Sequence, residues 1–75
     1  MNNTEYVNFG DGFSAIYYKN VTMADYAPFS ADYSYHNKGF YSQAFESEEQ
    51  RDSQSRDFID HAKAMGDEFL SYYGL

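Results

Sequence analysis

Cysteine and tryptophan are absent from this 75-residue chain, and proline occurs once, as Pro28. Without cysteine, neither disulfides nor thiolate metal sites can supply the stability that a small core lacks, and a reducing compartment fits best. No apolar run approaches the roughly 20 residues of a membrane span. The start "MNNTEYVNFG" has neither the basic residues nor the apolar stretch of a secretion signal, so a cytoplasmic protein is expected. "NNT" and "NVT" fit the N-glycosylation pattern, but without a secretion route they read as chance matches. A chain of this length buries only about 60% of its unfolded surface, which leaves room for one domain over residues 1–75 and none for a deep active-site cleft.

Aliphatic side chains are scarce too. Valine, isoleucine and leucine are confined to Val7, Ile16, Val21, Ile59, Leu70 and Leu75, against nine tyrosines and seven phenylalanines. The core must therefore be aromatic. Rings of roughly 150–250 Å² each are more than one small interface can bury, so some tyrosines are expected at the surface, where they favour protein contacts.

Bases are the third shortage: five Lys and Arg stand against 12 Asp and Glu, for a net charge of −7. Eight of the acids fall from Glu46 onward, so the acidity belongs to the C-terminal segment. Such a surface repels nucleic acid and suits a basic protein surface.

What is present sorts into two hairpins and a helix. "TEYVNF" and "FSAIYYKNV" flank "GDG", whose residues tolerate the positive φ of a tight turn. "TMADYAP" reads as a short helical connector near residues 22–27, capped by Thr22 and stopped by Pro28. "SADYSYHNKGFYSQAF" reads as a second hairpin, with Tyr33 and Tyr35 on one face opposite Phe40, Ser42 and Ala44. From residue 46 the pattern turns helical: Ser47 and Gln50 form a capping box, and Gly74 supplies a stop. The expected fold is α+β, a small antiparallel sheet of two β-hairpins (three to four strands, residues 1–45) packed against one long C-terminal helix (residues 46–75).

At 100° per residue, Phe58, Ile59, Ala62, Met65, Phe69, Leu70 and Tyr73 make the core stripe. Glu46, Glu49, Asp57, Asp60, Asp67 and Glu68 gather on the other side, with Arg56 and Lys63 at the flank. An ordinary solvated face would mix signs, because acid–base pairs four apart add a few tenths of a kcal/mol. Asp67 and Glu68 lie near the end of this helix, where the macrodipole disfavours negative charge, which invites a functional explanation. Glu49 to Glu68 would span about 28 Å on a straight helix, comparable to about eight base-pair steps. The wholly polar stretch "ESEEQRDSQSRD" places Glu48, Arg51, Gln54 and Ser55 where the stripe would continue. That half of the helix is expected to project beyond the sheet.

Nothing in the sequence points to catalysis. No serine or cysteine sits in an elbow motif, no glycine-rich loop cradles a phosphate, and His36 and His61 lack ligand spacing. No enzyme activity, cofactor or metal is expected. Asp57 and His61, four apart, read as a surface pair.

Small size, acidity, absence of cysteine and an aromatic-rich α+β pattern make the chain resemble the small counter-defence proteins of bacteriophages and mobile elements, including anti-restriction and anti-CRISPR inhibitors. The resemblance implies a protein of the bacterial host cytoplasm that occludes a nucleic-acid groove or protein interface of a defence complex, often as a dimer. The chain departs from extreme DNA mimics, since residues 1–45 are nearly neutral. The expected function is a non-enzymatic inhibitor that binds a basic, nucleic-acid-binding protein surface through Glu46, Glu49, Asp57, Asp60, Asp67 and Glu68, with Tyr33, Tyr35 and Tyr41 exposed beside them. The alternative is a small homodimeric assembly module joined through aromatic sheet surface.

Overall fold

The computed structural model describes residues 4–19 and 29–75. Its elements follow the chain as β1 (Thr4–Gly10), β2 (Phe13–Lys19), β3 (Phe29–Tyr35), β4 (Lys38–Phe45), α1 (Glu48–Met65) and α2 (Asp67–Tyr72). The strands form one antiparallel sheet in the order β1-β2-β3-β4, and the helices cover one face of it. This is the α+β fold expected from the sequence; the connector read near residues 22–27 lies outside the described residues.

Each turn is set by residues that accept left-handed backbone. Gly10, Asp11 and Gly12 take φ of 85°, 55° and 90° between β1 and β2. His36 and Asn37, at φ 48° and 67°, make the two-residue turn between β3 and β4 that matches the right-handed twist of a hairpin. The two turns lock together, because the His36 amide donates to the Gly12 carbonyl at 2.8 Å. At φ 90° any other residue would be strained at Gly12, and its Cβ would lie 2.8 Å from the His36 ring, which would have to move.

Register then decides which side chains meet the helices. Tyr33 pairs with Tyr41, but Ser34 pairs with Gly39, so Phe40 is the extra residue of a β-bulge. The bulge shifts the alternation of β4 by one. Tyr41, Gln43 and Phe45, rather than Ser42 and Ala44, share the face of Tyr33. Phe40 joins them, with its ring centroid 6.4 Å from Tyr33 and 5.7 Å from Phe69. A strict period of two cannot anticipate a bulge, which is why the face read from the sequence was wrong for Ser42 and Ala44.

The core is aromatic, as the composition requires. Phe13, Tyr17, Tyr33, Phe45 and Phe69 are buried with Ile59, while Ala15, Ala31 and Ala62 let the helix approach the sheet closely. Edge-on and tilted rings connect the layers: Phe69 lies 6.0 Å from Phe13, and Phe58 lies 4.8 Å from Tyr33.

Two expectations about the helix are corrected. It is not one rod: Gly66, at φ 61° and ψ −125°, ends α1 and lets α2 start in a new direction. The turn carries Phe69 and Tyr73 onto the sheet while leaving Met65 36% exposed, although the helical stripe had placed it inward. The second correction concerns the polar half. Arg51 is only 3% exposed and Ser55 is fully buried, so these turns lie on the sheet instead of projecting past it.

The reason is what the sheet offers them. The Arg51 guanidinium stacks 4.2 Å above the Tyr17 ring and donates to the Tyr18 carbonyl at 3.4 Å. Ser55 shares a 2.9 Å hydrogen bond with the Tyr33 phenol. A sheet of tyrosines can hold a polar helix because each ring brings an oxygen or a π-face with it. The expected capping box stands, in a form where Ser47 Oγ accepts from Gln50 N at 3.1 Å and Gln50 Oε1 accepts from the Glu46 amide at 3.0 Å. Among the described residues, no helix is long and apolar enough to cross a membrane.

Candidate protein-interaction surface

The fold distributes the few cations unevenly. Arg51 is consumed by the interior, where its guanidinium also meets Asp52 at 2.9 Å and Glu48 at 3.6 Å. Lys63 reaches across the sheet's end to donate to the Phe9 carbonyl beside the first turn. Lys19 sits 3.8 Å from Glu48. Lys63, Arg56 and Lys38 have no carboxylate in ion-pair range among the described residues.

The acids are treated in the opposite way. Glu46, Glu49, Asp57, Asp60, Asp67 and Glu68 are all exposed. Among the described residues, no base comes within ion-pair range of any of them. Glu49, Asp57 and Asp60 lie on the side of α1 turned away from the buried Arg51, Ser55, Ile59 and Ala62. Glu49 and Asp60 stand about 16 Å apart along the axis at 1.5 Å per residue.

The break at Gly66 changes the other three. Glu46 precedes α1, and Asp67 and Glu68 occupy the first turn of α2, so a single rigid line of about 28 Å does not exist. At a helix start, negative charge is favourable, and the placement of these two acids needs no functional explanation. What is brought together is Glu49, Asp57 and Asp60 on α1, with Asp67 and Glu68 set off around the joint.

The tyrosines expected beside the acids are placed otherwise. Tyr33 is 1% exposed beneath α1 and cannot meet a partner. Tyr35 is half-buried, tilted against Phe13 at 4.9 Å. Tyr41 is 41% exposed at the sheet edge, stacked on Tyr33 and tilted against Phe58. The reason is the alternation: odd-numbered positions of β3 face the helices, and the bulge brings Tyr41 to the same side.

The rings that do face solvent are Tyr72, 81% exposed, and Tyr6, 61% exposed. The same helical period that put Tyr73 in the core stripe puts Tyr72 outside it, so the signal for Tyr72 was present. Tyr6 alternates with the inward Val7, and period two marks it as outward.

Burial raises the phenol pKa of Tyr17 and of Tyr33 above its ordinary value of 10.0, partly offset by the Ser55 hydroxyl. Tyr18 is raised by burial and by the Asp32 carboxylate, which also accepts from Ser42 Oγ at 2.7 Å. All are neutral donors near pH 7. No group of three metal-ligating side chains occurs among the described residues. No family model, curated protein or solved structure matches the chain.

Proposed function

We propose that the chain is a non-enzymatic binding protein whose acidic outer surface docks on a basic surface of another protein. In its finer form the proposal is an inhibitor of phage type that covers a nucleic-acid-binding surface of a host defence complex in the bacterial cytoplasm. The finer form is supported by the resemblance in size, acidity and aromatic content alone.

The supporting observation is the separation of charge across the molecule. Arg51 is buried and Lys63 is bound to a backbone carbonyl, whereas Glu49, Asp57 and Asp60 stay exposed without a base in range among the described residues. Unpaired carboxylates on one helix raise the local negative potential, which steers and orients a basic partner. Capture from a lysate tests it: the tagged protein should retain basic proteins at low salt, and the triple variant Glu49→Lys, Asp57→Lys, Asp60→Lys should lose them. An unchanged set of captured proteins would overturn the proposal.

A homodimeric module remains the second reading, supported by the sheet face opposite the helices, where Tyr6 is exposed and Ile16 and Tyr18 are half-buried. It requires a dimer in light scattering at high micromolar concentration; a monomer there removes it.

A further inference from the structure

We propose that the outer edge of β1 pairs with β1 of a second copy of the chain, antiparallel about a two-fold axis at Tyr6, so that two four-stranded sheets continue into one. This joint differs from the face-to-face dimer of the second reading above and stands without the acidic-surface reading.

The two edges of the sheet are unequally guarded. A bulge and an edge lysine are devices that block further strand pairing, and β4 has both, at Phe40 and Lys38. β1 runs for seven residues with neither proline nor lysine, and its register with β2 is regular from Thr4 to Asn8. Because α1 packs against β3 and β4, β1 is left at the margin with five of its seven residues exposed. Among the described residues, no strand pairs with its outer side.

Sheet alternation fixes which backbone groups lie on that side. The Gly12 carbonyl accepts from His36, so Gly12 turns toward β3, and so does every second residue of β2 after it, Ser14 and Ile16. Ala15 therefore bonds to Val7, and the N–H and C=O groups of Thr4, Tyr6 and Asn8 point outward. Setting Tyr6 opposite Tyr6 of the copy brings Thr4 opposite Asn8, and all three residues of each strand gain partners. The same register places the two Tyr6 rings, each 61% exposed in the single chain, side by side as a cross-strand aromatic pair. On the helix side Glu5 falls opposite Val7 of the copy, not opposite a second Glu5.

Charge selects a second copy over a basic partner at this edge. Glu5 in β1 and Asp11 in the turn after it stand against Lys63, bound to the Phe9 carbonyl, and Lys19 at the end of β2. The margin is thus nearly balanced in a chain of net charge −7, so a cation gains little there and a copy meets little local repulsion. The assembly also closes, because the two-fold consumes both β1 edges and leaves the guarded β4 edges outside. An axis normal to the sheet keeps both pairs of helices on one side, which doubles the acidic surface offered to any partner.

Sedimentation equilibrium of the whole chain between about 10 µM and 1 mM, with hydrogen exchange followed amide by amide by NMR, tests the joint. So small an interface should dissociate in the high-micromolar range. The dimer should tighten as salt screens the two net charges, the reverse of an acidic surface on a basic partner. Exchange of the Tyr6 and Asn8 amides should slow as the dimer forms. Tyr6→Pro removes an outward N–H with no partner inside the chain, so it should fold and weaken the dimer about tenfold or more. Ala44→Lys, exposed on the open face of β4, should leave the dimer intact. A monomer throughout, a dimer whose Tyr6 and Asn8 amides exchange as in the monomer, or a folded Tyr6→Pro that still dimerises overturns the proposal. A dimer lost in Ala44→Lys and kept in Tyr6→Pro is the face-to-face module instead, and capture from a lysate decides the acidic-surface reading separately.

Discussion

Replacing Tyr33 with phenylalanine removes one oxygen from the centre of the molecule and leaves the packing of the ring intact. That oxygen lies 2.9 Å from Ser55 Oγ, and both residues are within 1% of full burial. Water cannot replace a lost partner there, so each single truncation strands a polar group at a cost of about 1–3 kcal/mol. Tyr33→Phe belongs near the lower end, because a serine hydroxyl inside a helix can turn to the carbonyl four residues back. Ser55→Ala belongs near 2 kcal/mol, since it leaves a phenol unpaired beneath the helix. The double variant removes both ends of the bond. It should therefore cost less than the sum of the singles, by a coupling of about 1 kcal/mol. Urea unfolding followed by circular dichroism measures this, as does Tm, which moves by roughly 4–8 °C per kcal/mol in a domain of this size. Strict additivity, or a Ser55→Ala protein as stable as the parent, would refute the claim that tyrosine oxygens hold the polar half of α1.

Two further outcomes follow from the same packing. Arg51→Ala should cost about 2–4 kcal/mol in urea unfolding, because it removes a stacked guanidinium, its bond to the Tyr18 carbonyl and the volume it fills. Stability should also fall as pH rises above about 10, the ordinary phenol value. The unfolded tyrosines release protons there while buried Tyr17 and Tyr33, with raised pKa values, still hold theirs, so the unfolded state gains. Urea titrations at pH 9 and 11 should show that loss, reduced in Tyr33→Phe.

The elements themselves were legible because turn chemistry and period are local. "GDG" and the Ser47–Gln50 box each name their own backbone and formed where the residues asked, while the turn read across "HNKG" tightened to His36 and Asn37, with Lys38 and Gly39 already in β4. The break at Gly66 was missed although glycine was visible there, since a lone glycine inside a helical pattern is often tolerated. The larger error was to treat Arg51 and Ser55 as unable to face a sheet. Periodicity had already placed them on the inner side, and hydropathy overruled it. What settles the matter is the partner surface, Tyr17 and Tyr33, whose acceptors and ring faces are long-range facts that a helix read by itself does not contain. The acidic face suffered the reverse fate: Glu49, Asp57 and Asp60 are exposed as read, but Asp67 and Glu68 lost their apparent strain once Gly66 gave them a helix start of their own.

Affinity for a captured basic partner, measured by calorimetry at low and high salt for the parent and the Glu49→Lys, Asp57→Lys, Asp60→Lys variant, tests the acidic-surface claim most directly. Three exposed carboxylates turned into repelling cations should weaken binding about tenfold or more at low salt, at a few tenths to 1 kcal/mol per pair, and the gap should close as salt screens both proteins. Equal affinities and equal salt slopes for the two proteins would contradict it.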